Sequence, residues 1–334
     1  MSFRVATFNC RDFFDDALPN VIGHLDREGF GIWAQRRARS LYGRKLDAVA
    51  EVVSRSGADV IAFQEIEGAR VLEDLRAQLP QAGFQPAVAG ASDSRGIACG
   101  VLSKFPIVSV EVHGAGELAF PGFVDGDPRP FGGRLVSKRG VLEVTVGLPD
   151  GTNMVLLVVH LKSARPVRRV DLAGEPSDDP GHYAAAEGSA RALVMRMAEA
   201  LFLRSRVDAL FARDSRTQLA VLGDFNDTAD SLVVRAVAGD LADPPRGRNS
   251  DLDAVTSLEN GVLHHCSRAV PPSVRHSIVH RGHPMLFDHV LVSRSLWRRF
   301  EGARILNEDL PDSAHEGRED VASDHAAVVA SFSG

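Results

Sequence analysis

Along this chain, short apolar runs alternate with longer stretches of helical period, and many of the runs stop at a polar side chain. Residues 3–9 read as a buried strand ending at Asn9. Residues 35–56 place Leu41, Leu46, Val49, Ala50 and Val53 at roughly helical spacing, and Ser56-Gly57 is a stop signal. Residues 59–65 form a strand running into a charged end, and residues 68–79 a helix closed by Pro80. Strands are predicted over 97–103 and 107–113, turning at Lys104-Phe105-Pro106, and over 140–147 and 154–160, turning around Pro149-Asp150-Gly151. Residues 183–212 carry a long amphipathic helix whose predicted core face is Ala190, Leu193, Val194, Met197, Leu201 and Leu210. A short strand over 219–222 precedes a short helix over 229–238, for which Asp227 is the expected N-cap. Residues 285–292 and 326–332 are the last two strands. The stretches 114–133, 164–181 and 240–272 show neither period and read as loops. No linker divides the chain, so residues 1–334 are expected to form one domain, an α/β sandwich of two sheets covered by helices.

Composition narrows the partners. Asp plus Glu is 44 and Lys plus Arg is 38, a net charge of −6 that does not suit non-specific coating of nucleic acid. It leaves room for an enzyme that meets a polyanion locally. The three cysteines, Cys10, Cys99 and Cys266, are too far apart for a CxxC motif. No signal peptide and no bilayer-spanning apolar run is read, so a cytoplasmic location is expected. No protein partner is inferred.

The strand ends carry the chemistry. Thr7-Phe8-Asn9, Phe63-Gln64-Glu65, Val158-Val159-His160, Gly223-Asp224-Phe225-Asn226 and Ser323-Asp324-His325 each end an apolar run or precede one, and Asp288 lies in a sixth such segment. Hard oxygen donors such as Glu65, Asp324 and Asn9 suit Mg²⁺ or Mn²⁺, with Ca²⁺ also compatible. Zinc would want more Cys or clustered His. A divalent metal beside His and Asp fits hydrolysis of a phosphoester.

These motifs, in this order, resemble the endonuclease/exonuclease/phosphatase superfamily, which includes deoxyribonuclease I, abasic-site endonucleases, inositol-polyphosphate phosphatases and neutral sphingomyelinases. The resemblance runs from Thr7 to His325 and is closest to bacterial nuclease-like members. It implies the four-layer, deoxyribonuclease I-like form of the sandwich. It also implies roles. Asn9 would orient a phosphate or the water, and Glu65 would be the principal metal ligand. Asp224 and Asn226 would hold the nucleophilic water and the phosphate or a second metal. Asp324 would bind metal, while His325 would contact the scissile phosphate with Asp288 fixing its tautomer. His160 matches a strand-end histidine of the deoxyribonuclease and sphingomyelinase branches. Arg11, where abasic-site enzymes carry an acidic residue, and Lys162 of the His-Leu-Lys-Ser segment would contact substrate phosphate. Arg134 is a further candidate for a phosphate, whereas Arg139 reads as solvated. The Arg165, Arg168 and Arg169 run reads as a solvated face or a polyanion contact.

The leading expectation is a metal-dependent nuclease cutting DNA, with RNA as a further substrate. The alternative is a phosphatase or phospholipase acting on a small phosphoester, because fold alone does not set function. A binding module without activity would have lost ligands, and none of the six segments has.

Overall fold

The computed structural model describes residues 2–15, 32–114, 116–125, 127, 131, 134–171, 181–241, 260–314 and 322–334. Along the chain these form β1 (Phe3–Phe13), α1 (Ile32–Ser56), β2 (Val60–Ile66), α2 (Ala69–Gln78), β3 (Val88–Ala89), β4 (Ala98–Ser103) and β5 (Ile107–His113). There follow β6 (Val141–Gly147), β7 (Asn153–His160), α3 (His182–Arg213), β8 (Gln218–Asp224), α4 (Leu232–Ala238) and β9 (His264–His265). The last elements are β10 (Ile278–His280), β11 (His283–Met285), β12 (Asp288–Val292), α5 (Arg294–Trp297), β13 (Phe300–Ile305) and β14 (Val328–Phe332).

Two six-stranded sheets result, ordered β13-β14-β1-β2-β4-β3 and β5-β6-β7-β8-β12-β9, with β10 and β11 as a separate hairpin. Both sheets are mixed: β1 runs parallel to β2 and antiparallel to β14, and β7 runs parallel to β8. Between the sheets lies a core that includes Val5, Val101, Leu156, Val158, Leu222, Val290 and Phe332. Leu46, Val49 and Val53 of α1, with Val71 and Leu72 of α2, cover the outer face of the first sheet. Leu203 and Val207 of α3, with Val233 and Val237 of α4, cover the second. Each inner strand is covered on both faces, which explains its almost unbroken apolar run. This is the four-layer sandwich expected from the sequence.

Several boundaries differ from the expectation. The apolar run over 285–292 is split, because Met285 closes the β10–β11 hairpin and β12 begins at Asp288. The N-cap of α4 is Ser231, whose Oγ accepts the N–H of Val234. Asp227 instead pairs with Arg196 at 2.9 Å. The buried face of α3 is Gly188, Ala192, Arg196, Ala198, Ala200, Leu203, Val207 and Leu210, whereas Leu193 is 48% exposed. Small residues bring the helix close to its neighbours, and Arg196 is buried because it reaches both Asp227 and the carbonyl of Lys162. The loop expectations over 114–133, 164–181 and 240–272 lie partly outside the described residues. Within the described part of the last one, His264–His265 pairs with the edge of β12.

Candidate active site

Strand register assembles the centre of the site. His160, the last residue of β7, faces Asp224, the last residue of β8, and Asp224 in turn faces Asp288, the first residue of β12. Three polar side chains therefore sit in one row across three neighbouring strands of the second sheet. Gly223 makes this row possible. Its φ is 144°, and an added Cβ would lie 1.9 Å from the Val159 carbonyl oxygen. Only glycine lets β8 approach β7 so closely just before Asp224.

The first sheet supplies the opposite wall. Register shifts interrupt β1 between Asn9 and Phe13, and β2 against β4 between Phe63 and Ile66. Such bulges re-aim side chains at sheet ends. Arg11, Asp12 and Glu65 take left-handed backbone at φ 47°, 52° and 58°, and Asn226 across the site does so at 51°. Each costs about 1 kcal/mol or more and is held by the surrounding hydrogen bonds. The predicted strand 3–9 thus continues past Asn9 to Phe13 through a bulge.

Asn9 ties the two walls together. Its Nδ2 donates to Asp224 Oδ2 at 3.0 Å and to Glu65 Oε1 at 3.4 Å, while its Oδ1 accepts the Arg11 N–H. The amide oxygen thus faces backbone, and the amide nitrogen serves the carboxylates. Asn226 holds Asp224 from the other side: its backbone N–H donates to Oδ1 at 2.7 Å and its Nδ2 to Oδ2 at 3.1 Å. Nε2 of His160 lies 3.6 Å from Asp224 Oδ2 and 3.7 Å from Glu65 Oε1. The His325 Nδ1 hydrogen-bonds Asp288 Oδ2 at 2.7 Å. Asp324, on the same turn, is 3.5 Å from the Arg11 guanidinium.

Two supports carry no sequence signal of their own. Ser277 Oγ accepts the N–H groups of Phe287 and Asp288, and its carbonyl accepts that of Ala326, so one residue ties the Asp288 and His325 segments. Lys45 of α1 donates to the carbonyls of Arg11 and Ala322, joining the two segments that carry Arg11 and Asp324. Lys162 is placed differently from its expected role. Its Nζ is turned onto Ser163 and the Arg165 carbonyl, and its backbone N–H donates to Glu199.

Burial and like charge dominate the electrostatics. Burial, then the neighbouring Asp12, pushes the Glu65 carboxyl upward. Burial and Asp288 push Asp224 up to about 7, against the pull of His325. Burial alone would lower His325, but Asp288, aided by Asp224 and Asp324, outweighs it and raises the imidazole to about 10. Burial holds His160 well below the ordinary histidine range, so it is neutral. The pocket thus gathers more carboxylate charge than its cations offset. Asp224, Asp288 and His325 bring one ligand atom each within 4.8 Å of one another, and Asp288 Oδ1 is buried with no hydrogen-bond partner among the described residues. With His325 protonated that trio is not itself a cation site; the carboxylate oxygens of Glu65 and Asp324, which flank the Arg11–Asp12 bulge, are the hard donors that fit a divalent cation.

The fold is a two-sheet α/β sandwich with a row of polar side chains at the ends of its second sheet's strands. Residues 6–325 match the model of the Endonuclease/Exonuclease/phosphatase family, and the chain belongs to that family of phosphoester hydrolases, whose enzymes generally depend on a divalent metal. None of the curated proteins matches. Solved structures match along nearly the whole of this chain. A family protein from Bacteroides thetaiotaomicron covers 99% of this chain and 95% of its own, at 15% identity and a TM-score of 0.56. The catalytic domain of human nocturnin, solved with a bound sulfate anion, covers 99% and 94% at 14% identity and a TM-score of 0.56. A mannosyl-6-phosphatase from B. thetaiotaomicron covers 98% of both chains at 16% identity and a TM-score of 0.55. At these identities the likeness speaks to fold. No helix among the described residues is long and apolar enough to cross a membrane.

Proposed function

We propose that this protein is a divalent-metal-dependent phosphodiesterase that hydrolyses nucleic acid, DNA foremost and RNA as a further substrate. The row His160–Asp224–Asp288 with His325 held on Asp288 carries the reading. It sets a proton acceptor, a cation and a neutral imidazole around one point, as attack of water on phosphorus requires.

Glu65 and Asp324 are the residues to hold Mg²⁺ or Mn²⁺, with Ca²⁺ also compatible; bound there, the cation offsets charge on the phosphate oxygens. Asp224 accepts the proton of the attacking water, and Asn9 and Asn226 fix the carboxylate for that task. His325, kept cationic by Asp288, stabilises charge gathering on the phosphate or leaving oxygen. His160 offers a neutral N–H on the opposite side. Arg11 contacts phosphate next to Asp324 and is 44% exposed at its side chain. Exposed cations Arg95, Lys138, Arg165 and Arg168 near the exit of β7 favour a chain of phosphates over an isolated one.

A second reading, hydrolysis of a small phosphomonoester, is favoured by the likeness to the mannosyl-6-phosphatase. One experiment separates them. Plasmid, single- and double-stranded oligonucleotides and a sugar phosphate are incubated with wild type, Glu65→Ala and His325→Ala, with Mg²⁺, Mn²⁺ or EDTA. Metal-dependent cutting of the polynucleotide, lost in both variants, is the expected result. Unchanged cutting by either variant refutes the site assignment, and turnover of the sugar phosphate alone refutes the nuclease reading.

A further inference from the structure

We propose that Arg139 is the anion-binding residue on the His160 side of the site, where its buried guanidinium takes an oxygen of the substrate phosphate. The proposal rests on the phosphoester reading above. By sequence position Arg139 is a solvated loop arginine. In the structure its side chain is only 9% exposed, and its Nε lies 3.4 Å from Asp93 Oδ2. Its Nη1 is buried with no hydrogen-bond partner among the described residues. A buried guanidinium edge without an acceptor is costly, and an anion arriving there removes the cost.

The arginine is aimed by a built support. The Asp93 side chain is 1% exposed. Its Oδ1 accepts the N–H groups of Arg95 at 2.8 Å and of Ile97 at 3.2 Å, and its Oδ2 faces both Arg95 and Arg139. With two backbone donors on one oxygen, the carboxylate cannot swing away, and Arg139 is held with it.

Placement follows from the sheet. Leu142 of β6 faces Val158 of β7. β6 runs antiparallel to β7, so Arg139, two residues before the start of β6, lies at the end of the sheet where β7 finishes in His160. The electrostatics agree. Among charged neighbours, Arg139 acts on His160 more strongly than His325, Arg95 or Lys162 does, and its charge also reaches Lys162 and Glu199. Lys162 itself is engaged by Ser163 and the Arg165 carbonyl. At the exit of β7, Arg139 is thus a buried cation with an unpartnered donor among the described residues. Arg95, 62% exposed at its side chain, shares Asp93 and supplies a second charge at the rim.

The test uses the full chain and inorganic phosphate as the probe. Phosphate affinity is measured by ³¹P NMR titration. In parallel, KM and kcat are measured for bis(p-nitrophenyl) phosphate with Mn²⁺. The proteins are wild type, Arg139→Gln, Arg139→Lys and Arg216→Gln, the last removing a 90%-exposed arginine near the opposite end of β8. Arg139→Gln is expected to weaken phosphate binding at least about tenfold and to raise KM, as loss of a charged hydrogen bond does. Arg216→Gln should stay within about twofold of wild type. If Arg139→Gln does not fold, Arg139→Lys decides: it keeps the charge but loses the planar fork, and is expected to bind phosphate several-fold more weakly. Wild-type phosphate affinity in a folded variant at Arg139, or no measurable phosphate binding by wild type, overturns the proposal. Failure of the phosphoester reading shows separately, as absence of diester hydrolysis by wild type.

Discussion

His325 and Asp288 are bonded at 2.7 Å, yet they come from segments that share no strand pairing with each other. Asp288 is wholly buried, and its second oxygen has no partner among the described residues. The carboxylate therefore has one clear task within the protein, to hold and charge the imidazole. Asp288→Asn keeps the shape and removes the charge. It should lower kcat for a phosphodiester by at least about a hundredfold, the size of effect expected when a positioned acid–base partner is lost. Steady-state kinetics of the folded variant check this, and a kcat within a few-fold of wild type would count against it. Gly223 acts one residue before Asp224, through the backbone. Gly223→Ala places a methyl group against the Val159 carbonyl at a φ that alanine avoids. A loss of about 3 kcal/mol or more is expected in urea unfolding. A loss under about 1 kcal/mol would mean that β7 and β8 are less tightly fixed than their register implies.

Among the elements, α3 crosses behind the exit of β7, where Arg196 reaches the Lys162 carbonyl and Glu199 meets the Lys162 N–H. The Glu199 carboxylate accepts that N–H at 2.7 Å. Burial raises Glu199 to about 7, although Lys162, Arg139 and Arg196 pull the other way. The folded pKa thus lies above the unfolded one. The favourable contribution is complete below about pH 4.5 and is lost as pH rises to about 7, where the folded state must ionise a buried acid. Glu199→Gln keeps the acceptor and removes the titration. Its stability relative to wild type should grow by roughly 2–3 kcal/mol between pH 4.5 and pH 7.5, measured by urea unfolding at both ends. A pH-independent difference would contradict it. Legibility also divides by element. β2, β7 and β8 are covered on both faces and announce themselves as apolar runs. β13, Phe-Glu-Gly-Ala-Arg-Ile, is an edge strand with one face in solvent, so it has no such run. The core face of α3 is legible only in part: Leu210 is buried as expected, but Leu193 is 48% exposed, and alanines with the buried Arg196 share the face with Leu203 and Val207.

On the scale of the molecule, β14 from the C-terminal segment inserts between β1 and β13 in the first sheet, and β12 pairs beside β8 in the second. Residues from Asn9 to His325 can share one pocket only because both ends of the chain enter the sandwich. The membership of that pocket was legible, since strand-end Asn, Glu, His and Asp have no reason to follow buried runs unless they meet. The supports were not. Ser277, Lys45 and the Asp93–Arg139 pair depend on distant partners, and a lone serine, lysine or arginine carries no mark of them. In the proposed reaction this pocket hydrolyses a phosphodiester with Asp224 as the proton acceptor. That reaction is tested most directly by the initial rate of cleavage of a labelled duplex oligonucleotide, at saturating Mg²⁺, by wild type and by folded Asp224→Asn. Metal-dependent cleavage by wild type and a rate at least about a hundredfold lower in the variant are expected, with oligonucleotide affinity little changed. Equal rates, or wild-type cleavage that survives EDTA, would contradict it.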